Sequence, residues 1–89
     1  MTTYLVTYDL VAPGRDYKKL FEYLKSHGSW AHPLESTWLI VSSLSALDLC
    51  NAIASHVDTN DKVLVVKSAG VGAWRRLTQK LTDWLHEYL

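Results

Sequence analysis

Eight residues near the start, Thr3-Tyr4-Leu5-Val6-Thr7-Tyr8-Asp9-Leu10, constrain this chain more than any other segment. β-Branched and aromatic residues fill the run. A two-residue period sends Tyr4, Val6 and Tyr8 to one face and Leu5, Thr7 and Asp9 to the other. The segment reads as a strand that ends on a carboxylate, and Pro13 and Gly14 break the pattern before helical spacing begins. An aspartate in that place has two readings. It terminates a ladder, as Asp commonly does, or it stands on a sheet edge or dimer seam where two copies could hold one metal ion.

The rest of the chain alternates between helical and extended patterns. Asp16 is placed to cap a helix in which Tyr17, Leu20, Phe21 and Leu24 recur at helical spacing. Gly28 stops that helix just past His27, whose charge suits a helix end when protonated. Residues 29–35 form a short strand that Pro33 marks as an edge, a bulge or a break. In residues 36–42, Trp38, Ile40 and Ser42 alternate with Thr37, Leu39 and Val41. Only one of those faces is partly polar, so this strand is expected to be buried on both sides or paired into an interface. Ser45 and Asp48 make a capping-box-like pair, Leu44 and Leu49 a hydrophobic staple, and Ala46, Leu49, Cys50, Ile53 and Val57 an apolar stripe. A turn cluster at 58–61 leads into a strand over 62–68, which Gly70 and Gly72 end. Leu77, Leu81, Trp84, Leu85 and Tyr88 then give a final helix from about 77 to 89.

The order strand, helix, strand, strand, helix, strand predicts an α+β chain. It is the split βαβ arrangement of the ferredoxin-like fold, βαββαβ, with a four-stranded antiparallel sheet, two helices on one face and an added C-terminal helix. Eighty-nine residues suit a single domain, with a core over about 3–68 and a helical extension over about 73–89. Nine basic and nine acidic residues leave a formal net charge of +0, which removes the simplest electrostatic argument for a nucleic-acid binder. Cys50 stands alone and so makes no internal disulfide. No apolar run approaches the roughly 20 residues needed to cross a bilayer, and no signal-like pattern opens the sequence. A cytoplasmic location without membrane association is the expectation.

With Val6-Thr7-Tyr8-Asp9-Leu10 on the first strand and Glu35-Ser36-Thr37-Trp38-Leu39 opening the third, the chain resembles a known group. This is the set of small ferredoxin-like proteins that includes the CRISPR-associated adaptation nuclease and scaffold protein and virulence-associated protein D. Its members begin with a tyrosine- or phenylalanine-aspartate strand, and many carry a serine, then an apolar and an aromatic residue, on a later strand. Ser36-Thr37-Trp38 follows that pattern, and the similarity spans about residues 3–68. The resemblance implies a homodimer in which the Asp9 residues of two subunits face each other. There they would bind a divalent metal, magnesium or manganese, for phosphodiester cleavage of RNA or DNA. Two departures stand out. Only Arg15, Lys18 and Lys19 supply basic charge soon after the aspartate, and the segment carrying Trp74, Arg75 and Arg76 has no counterpart in the shortest members. Catalysis varies within the group, and some members serve only as scaffolds.

Asp9 is therefore the candidate catalytic residue and metal ligand. His32, with Glu35 and Ser36, is a candidate accessory group: near Asp9 it would act as a general base or further ligand, and otherwise it is a surface strand histidine. His27, His32, His56 and His86 show no zinc-site spacing. Cys50 falls on an apolar stripe and reads as core. Neither Pro13-Gly14-Arg15 nor Gly70-Val71-Gly72 has the glycine spacing of a phosphate loop. Arg15, Trp74, Arg75 and Arg76 are candidate contacts to nucleic acid or to a protein partner. An indole beside arginines stacks on exposed bases or anchors a protein interface, and the neutral net charge favours the interface. The tail helix would then dock on its own sheet or cross to a neighbouring subunit. The competing function is a non-catalytic protein-binding or ligand-sensing dimer with no nucleic-acid role.

Overall fold

The alternation in the opening run decides where the first strand must lie. The computed structural model describes residues 1–11 and 17–89. In it β1 (Thr2–Asp9) pairs antiparallel on both sides, with β3 (Thr37–Ser42) and with β4 (Lys62–Lys67). β2 (Trp30–Leu34) adds to the far side of β3, so the sheet order is β2-β3-β1-β4. Its four antiparallel strands and three helices are compatible with a ferredoxin-like fold. The ladder slips between Ala31 and Leu34, across Pro33, as an edge strand permits and an inner one does not.

One face of the sheet carries the main core. Tyr4, Val6 and Tyr8 of β1 and Trp38 and Ile40 of β3 pack against two helices, α1 (Lys18–Lys25) and α2 (Ala46–Ala54). The helices contribute Leu20, Leu24, Leu49 and Ile53, all fully buried. Each such side chain contributes about 1.5–3 kcal/mol through burial. Ser45 caps α2 as its sequence predicts, its Oγ accepting from the Asp48 backbone N–H at 3.1 Å. Cys50 is half-buried on the same helix. α1 has no side-chain cap at its first residue, and the expected cap Asp16, with the Pro13–Gly14 break, lies outside the described residues. Gly28 stands past its end at φ +81°, a conformation glycine adopts without a Cβ penalty.

The opposite face is covered from within the chain. After β4 the backbone crosses back and α3 (Gln79–Tyr88), capped by Thr78 Oγ1, lays Leu81, Trp84 and Leu85 over Leu5, Ala31 and Leu39. Leu39 is buried on this face and its neighbours Trp38 and Ile40 on the other, which realises the expectation that β3 is buried on both sides. Polar ties fix the tail. Trp84 Nε1 donates to Ser29 Oγ at 3.2 Å, Trp74 Nε1 to Thr82 Oγ1 at 3.0 Å, and Ser68 Oγ to the Leu89 carbonyl at 2.8 Å. Thr3 Oγ1 donates to the Tyr88 carbonyl. Gly72 passes so close to Leu89 that a Cβ there would lie 2.8 Å from its Cδ2. The tail helix thus docks on its own sheet.

Candidate functional site

Asp9 closes β1 on the outer face, where the tail does not reach. Its register partner on β4 is Lys62, and Thr7 pairs with Leu64, so these four residues line one shallow depression of about 310 Å³. Asp9 and Lys62 are both exposed. Among the described residues neither side chain makes a hydrogen bond or an ion pair. A strand-terminating aspartate often accepts from nearby backbone N–H groups; among the described residues Asp9 does not.

Beyond Lys62 and Thr7, which flank that carboxylate, the outer surface turns apolar. Leu64 is 56% exposed and Val66 44%, both on the outer face of β4; Leu34 at the end of β2 is 59% exposed and Val71 90%. Between the sheet and the crossing segment runs a groove of about 390 Å³, lined by Leu5, Leu34, Leu39, Trp74 and Arg75 among others. The outer face is therefore divided, with α3 over the β2–β3 side and open sheet on the β4 side.

His32 does not join Asp9. Its ring stacks on Trp38, centroids 3.9 Å apart and planes 14° from parallel, and its Nε2 meets the Glu35 carbonyl at 3.0 Å. Trp38 belongs to the inner core, so His32 and Asp9 sit on opposite faces of the sheet. Glu35 and Ser36 do reach the Asp9 end, but through their backbone. The Ser36 carbonyl accepts from the Tyr8 N–H and from Thr7 Oγ1, both at 3.1 Å. Tyr8 itself faces inward, its Oη accepting from Trp38 Nε1 at 2.9 Å, and burial pushes the phenol above its ordinary value of 10.0 against that stabilising bond.

Of the tail residues, Trp74 is half-buried against His86 and bonded to Thr82, while Arg75 and Arg76 are exposed. Arg76 holds φ +63°, left-handed and without glycine's freedom, and this turn delivers the chain into α3. Arg15 lies outside the described residues. His27 was expected to favour the end of α1 as a cation. Instead, burial pushes its imidazole below 6.5, and its Nε2 is buried with no hydrogen-bond partner among the described residues.

Two residues at the Asp9 end escape sequence reasoning. Lys62 is set beside Asp9 by strand pairing across more than fifty residues, which no local pattern announces. Asp61 reads as one of several turn residues. Yet its Oδ1 accepts from Val11 N at 2.8 Å, and its Oδ2 accepts from Tyr17 Oη at 2.9 Å and from Asp58 N at 2.8 Å. It ties the exit of β1 to the entry of β4 and so holds the Asp9–Lys62 pair in register. Among the described residues no group of three or more His, Cys, Asp or Glu side chains gathers as a metal site, and no helix is long and apolar enough to cross a membrane. Comparison of the chain with protein-family models, with curated proteins and with solved structures gave no match.

Proposed function

We propose that this chain is a homodimeric, nucleic-acid-associated module with a ferredoxin-like core, and that a second copy docks on the open part of the outer face so that two Asp9 carboxylates meet. The observation that carries the reading is the Asp9 carboxylate, without a hydrogen-bond or ion-pair partner among the described residues, at one end of an outer β4 face on which Leu64 and then Val66 are exposed. Apolar side chains on an uncovered sheet face favour a protein neighbour, and the cation-ready carboxylate lies at the margin of that patch. Two facing carboxylates repel unless a proton or a cation is shared between them.

A hard divalent cation fits such a pair. One chain offers a single carboxylate there, so Asp9 of each copy would supply the protein ligands and water the rest, as magnesium tolerates. When bound, the ion would polarise a phosphodiester and acidify a bound water. Lys62, side by side with Asp9, is placed to neutralise a phosphate oxygen. Asp61 positions both by fixing the strand ends.

The test joins mass to turnover. Light scattering should find a dimer that Val66→Lys dissociates, and single-stranded RNA or DNA should be cleaved with manganese by the native chain and not by Asp9→Ala. A native chain that stays monomeric at every concentration removes the paired site. Cleavage unchanged in Asp9→Ala removes Asp9 from the chemistry, and a dimer without turnover leaves an assembly module.

A further inference from the structure

At the β2 edge of the sheet, a third concavity has a different chemistry. Trp30, Ala31 and His32 of β2 and Lys80, Leu81 and Trp84 of α3 enclose a cleft of about 260 Å³. Drug-sized ligands occupy roughly 300–1,000 Å³, so this cleft suits one planar ring. Two indoles and an imidazole supply its walls. Trp30 and Trp84 are only half-buried, and His32 is exposed with one ring face laid on Trp38. No carboxylate lines it, whereas Lys80 does, and Lys25 places its Nζ 5.5 Å from the Trp30 ring centroid. Neither lysine has an acidic partner among the described residues.

We infer that this cleft binds single-stranded nucleic acid, one base inserting against Trp30 and Trp84 while Lys80 and Lys25 meet the flanking phosphates. Aromatic platforms interleaved with cations are the general solution for strands without sequence preference, since every base has a π-face. The edge position adds to this. β2 has no sheet neighbour on its outer side, so its backbone N–H and C=O groups there are open to the polar edge of an inserted base. The lining also argues against a peptide ligand. Its aliphatic lining is only Ala31 and Leu81, the rest being two indoles, an imidazole and Lys80, and with Lys25 beside Trp30 the cations are placed for an anionic backbone. Zero net charge does not oppose this, because the relevant field is the local one around Lys25 and Lys80.

The inference deepens the nucleic-acid reading without using Asp9, so the two fail separately. Tryptophan fluorescence titrated with a ten-nucleotide uridine oligomer at low salt, without divalent metal, should show saturable quenching, and Asp9→Ala should titrate like the native chain. Lys80→Gln, at an exposed helix position that leaves the fold intact, should lower the slope of log affinity against log salt by about 0.7, one phosphate contact for a single strand. Trp30→Ala, checked for folding by circular dichroism, should weaken binding about 5- to 150-fold, the range for one lost stacking contact. Native protein that does not bind the oligomer overturns the inference. So does binding that Lys80→Gln and Trp30→Ala both leave unchanged. Inorganic polyphosphate binding as tightly as the oligomer overturns the stacking and leaves a basic patch.

Discussion

Truncating Leu85 to alanine asks whether α3 is part of one cooperative fold or a detachable cover. Leu85 is 5% exposed and sits on Ala31 and Leu39 in the outer cluster. Large-to-small changes of buried leucine cost about 2–5 kcal/mol, the cost rising with the cavity left behind. Leu85 also lines the open groove, so water and neighbouring side chains can enter the vacated space. That places the expected loss near the low end, about 2–3 kcal/mol. Leu49→Ala, fully buried between α2 and the sheet, has no such relief and should cost more, about 3–5 kcal/mol. For a domain of this size 1 kcal/mol moves Tm by about 4–8 °C, so Leu85→Ala should melt roughly 8–24 °C lower. Urea unfolding followed by circular dichroism and by tryptophan fluorescence separates the alternatives, because Trp74 and Trp84 report the outer cluster and Trp30 and Trp38 the inner core. Coincident transitions, a lowered midpoint and an unchanged slope are expected. A midpoint equal to the native one, with rapid amide exchange confined to α3, would refute the reasoning by showing that the tail contributes nothing to global stability.

Two further perturbations probe an imidazole held neutral by burial and a carboxylate that ties two strand ends. His27 is kept below its ordinary value of 6.5 by burial, so the native state holds it neutral while the unfolded chain protonates first as acid is added. Its stabilising contribution is fully present above pH 6.5 and is lost as pH falls from there through the lower native value. His27→Phe keeps an aromatic edge against Tyr23, 5.0 Å away in the native chain, and should show a shallower fall of Tm between pH 7 and 5. Superimposable Tm profiles would show that His27 does not titrate on unfolding. Asp61→Ala strips acceptors from Val11 N, Tyr17 Oη and Asp58 N. The site is half-exposed and water can replace some of these bonds, so thermal melts should register a loss of about 2–3 kcal/mol. A change under about 0.5 kcal/mol, ordinary for a surface substitution, would remove Asp61 as the tie between β1 and β4.

What the sequence made legible follows from the range of the interactions involved. The two faces of β1, the cap at Ser45, the stop at Gly28 and the edge character of Pro33 rest on contacts within a few residues, and each is present. The tail helix was legible in its stripe, and its start at Gln79 rather than 77 follows from Thr78 acting as cap. Which surface that stripe would cover was not legible. Leu81 and Leu85 would serve equally on a partner's sheet, and long-range ties such as Trp84 to Ser29 decide for the chain's own. Asp9 stood out because the opening strand closes on it; that its carboxylate has no partner among the described residues is seen only in the structure. Lys62 did not, because its significance lies in a register set by the whole sheet. His27 misled for a related reason: helix position favours its charge, while its burial against Tyr23 does not.

The self-docked tail also limits what the proposed dimer can be. A second copy covering the whole outer face would have to displace α3 and expose Leu81, Trp84 and Leu85, which an intramolecular segment holds at high effective concentration. Only the open side remains, around Leu64 and Val66 of β4. A contact confined to that strip falls toward the small end of interface sizes, below about 1,200 Å², where association is transient. Paired Asp9 carboxylates at its margin would weaken it further in the absence of a cation, because each copy brings a negative charge to the same place. The dimer and the cation are then linked: the ion that two carboxylates hold is also what relieves their repulsion, so assembly should tighten as divalent metal is added. The β2-edge cleft lies on the far side of α3 from this strip and is free in either state. On the two proposals together, a monomer would hold a strand by its base-stacking edge before a second copy completed the metal pair, an order of events to which the division of the outer face by α3 would lend itself.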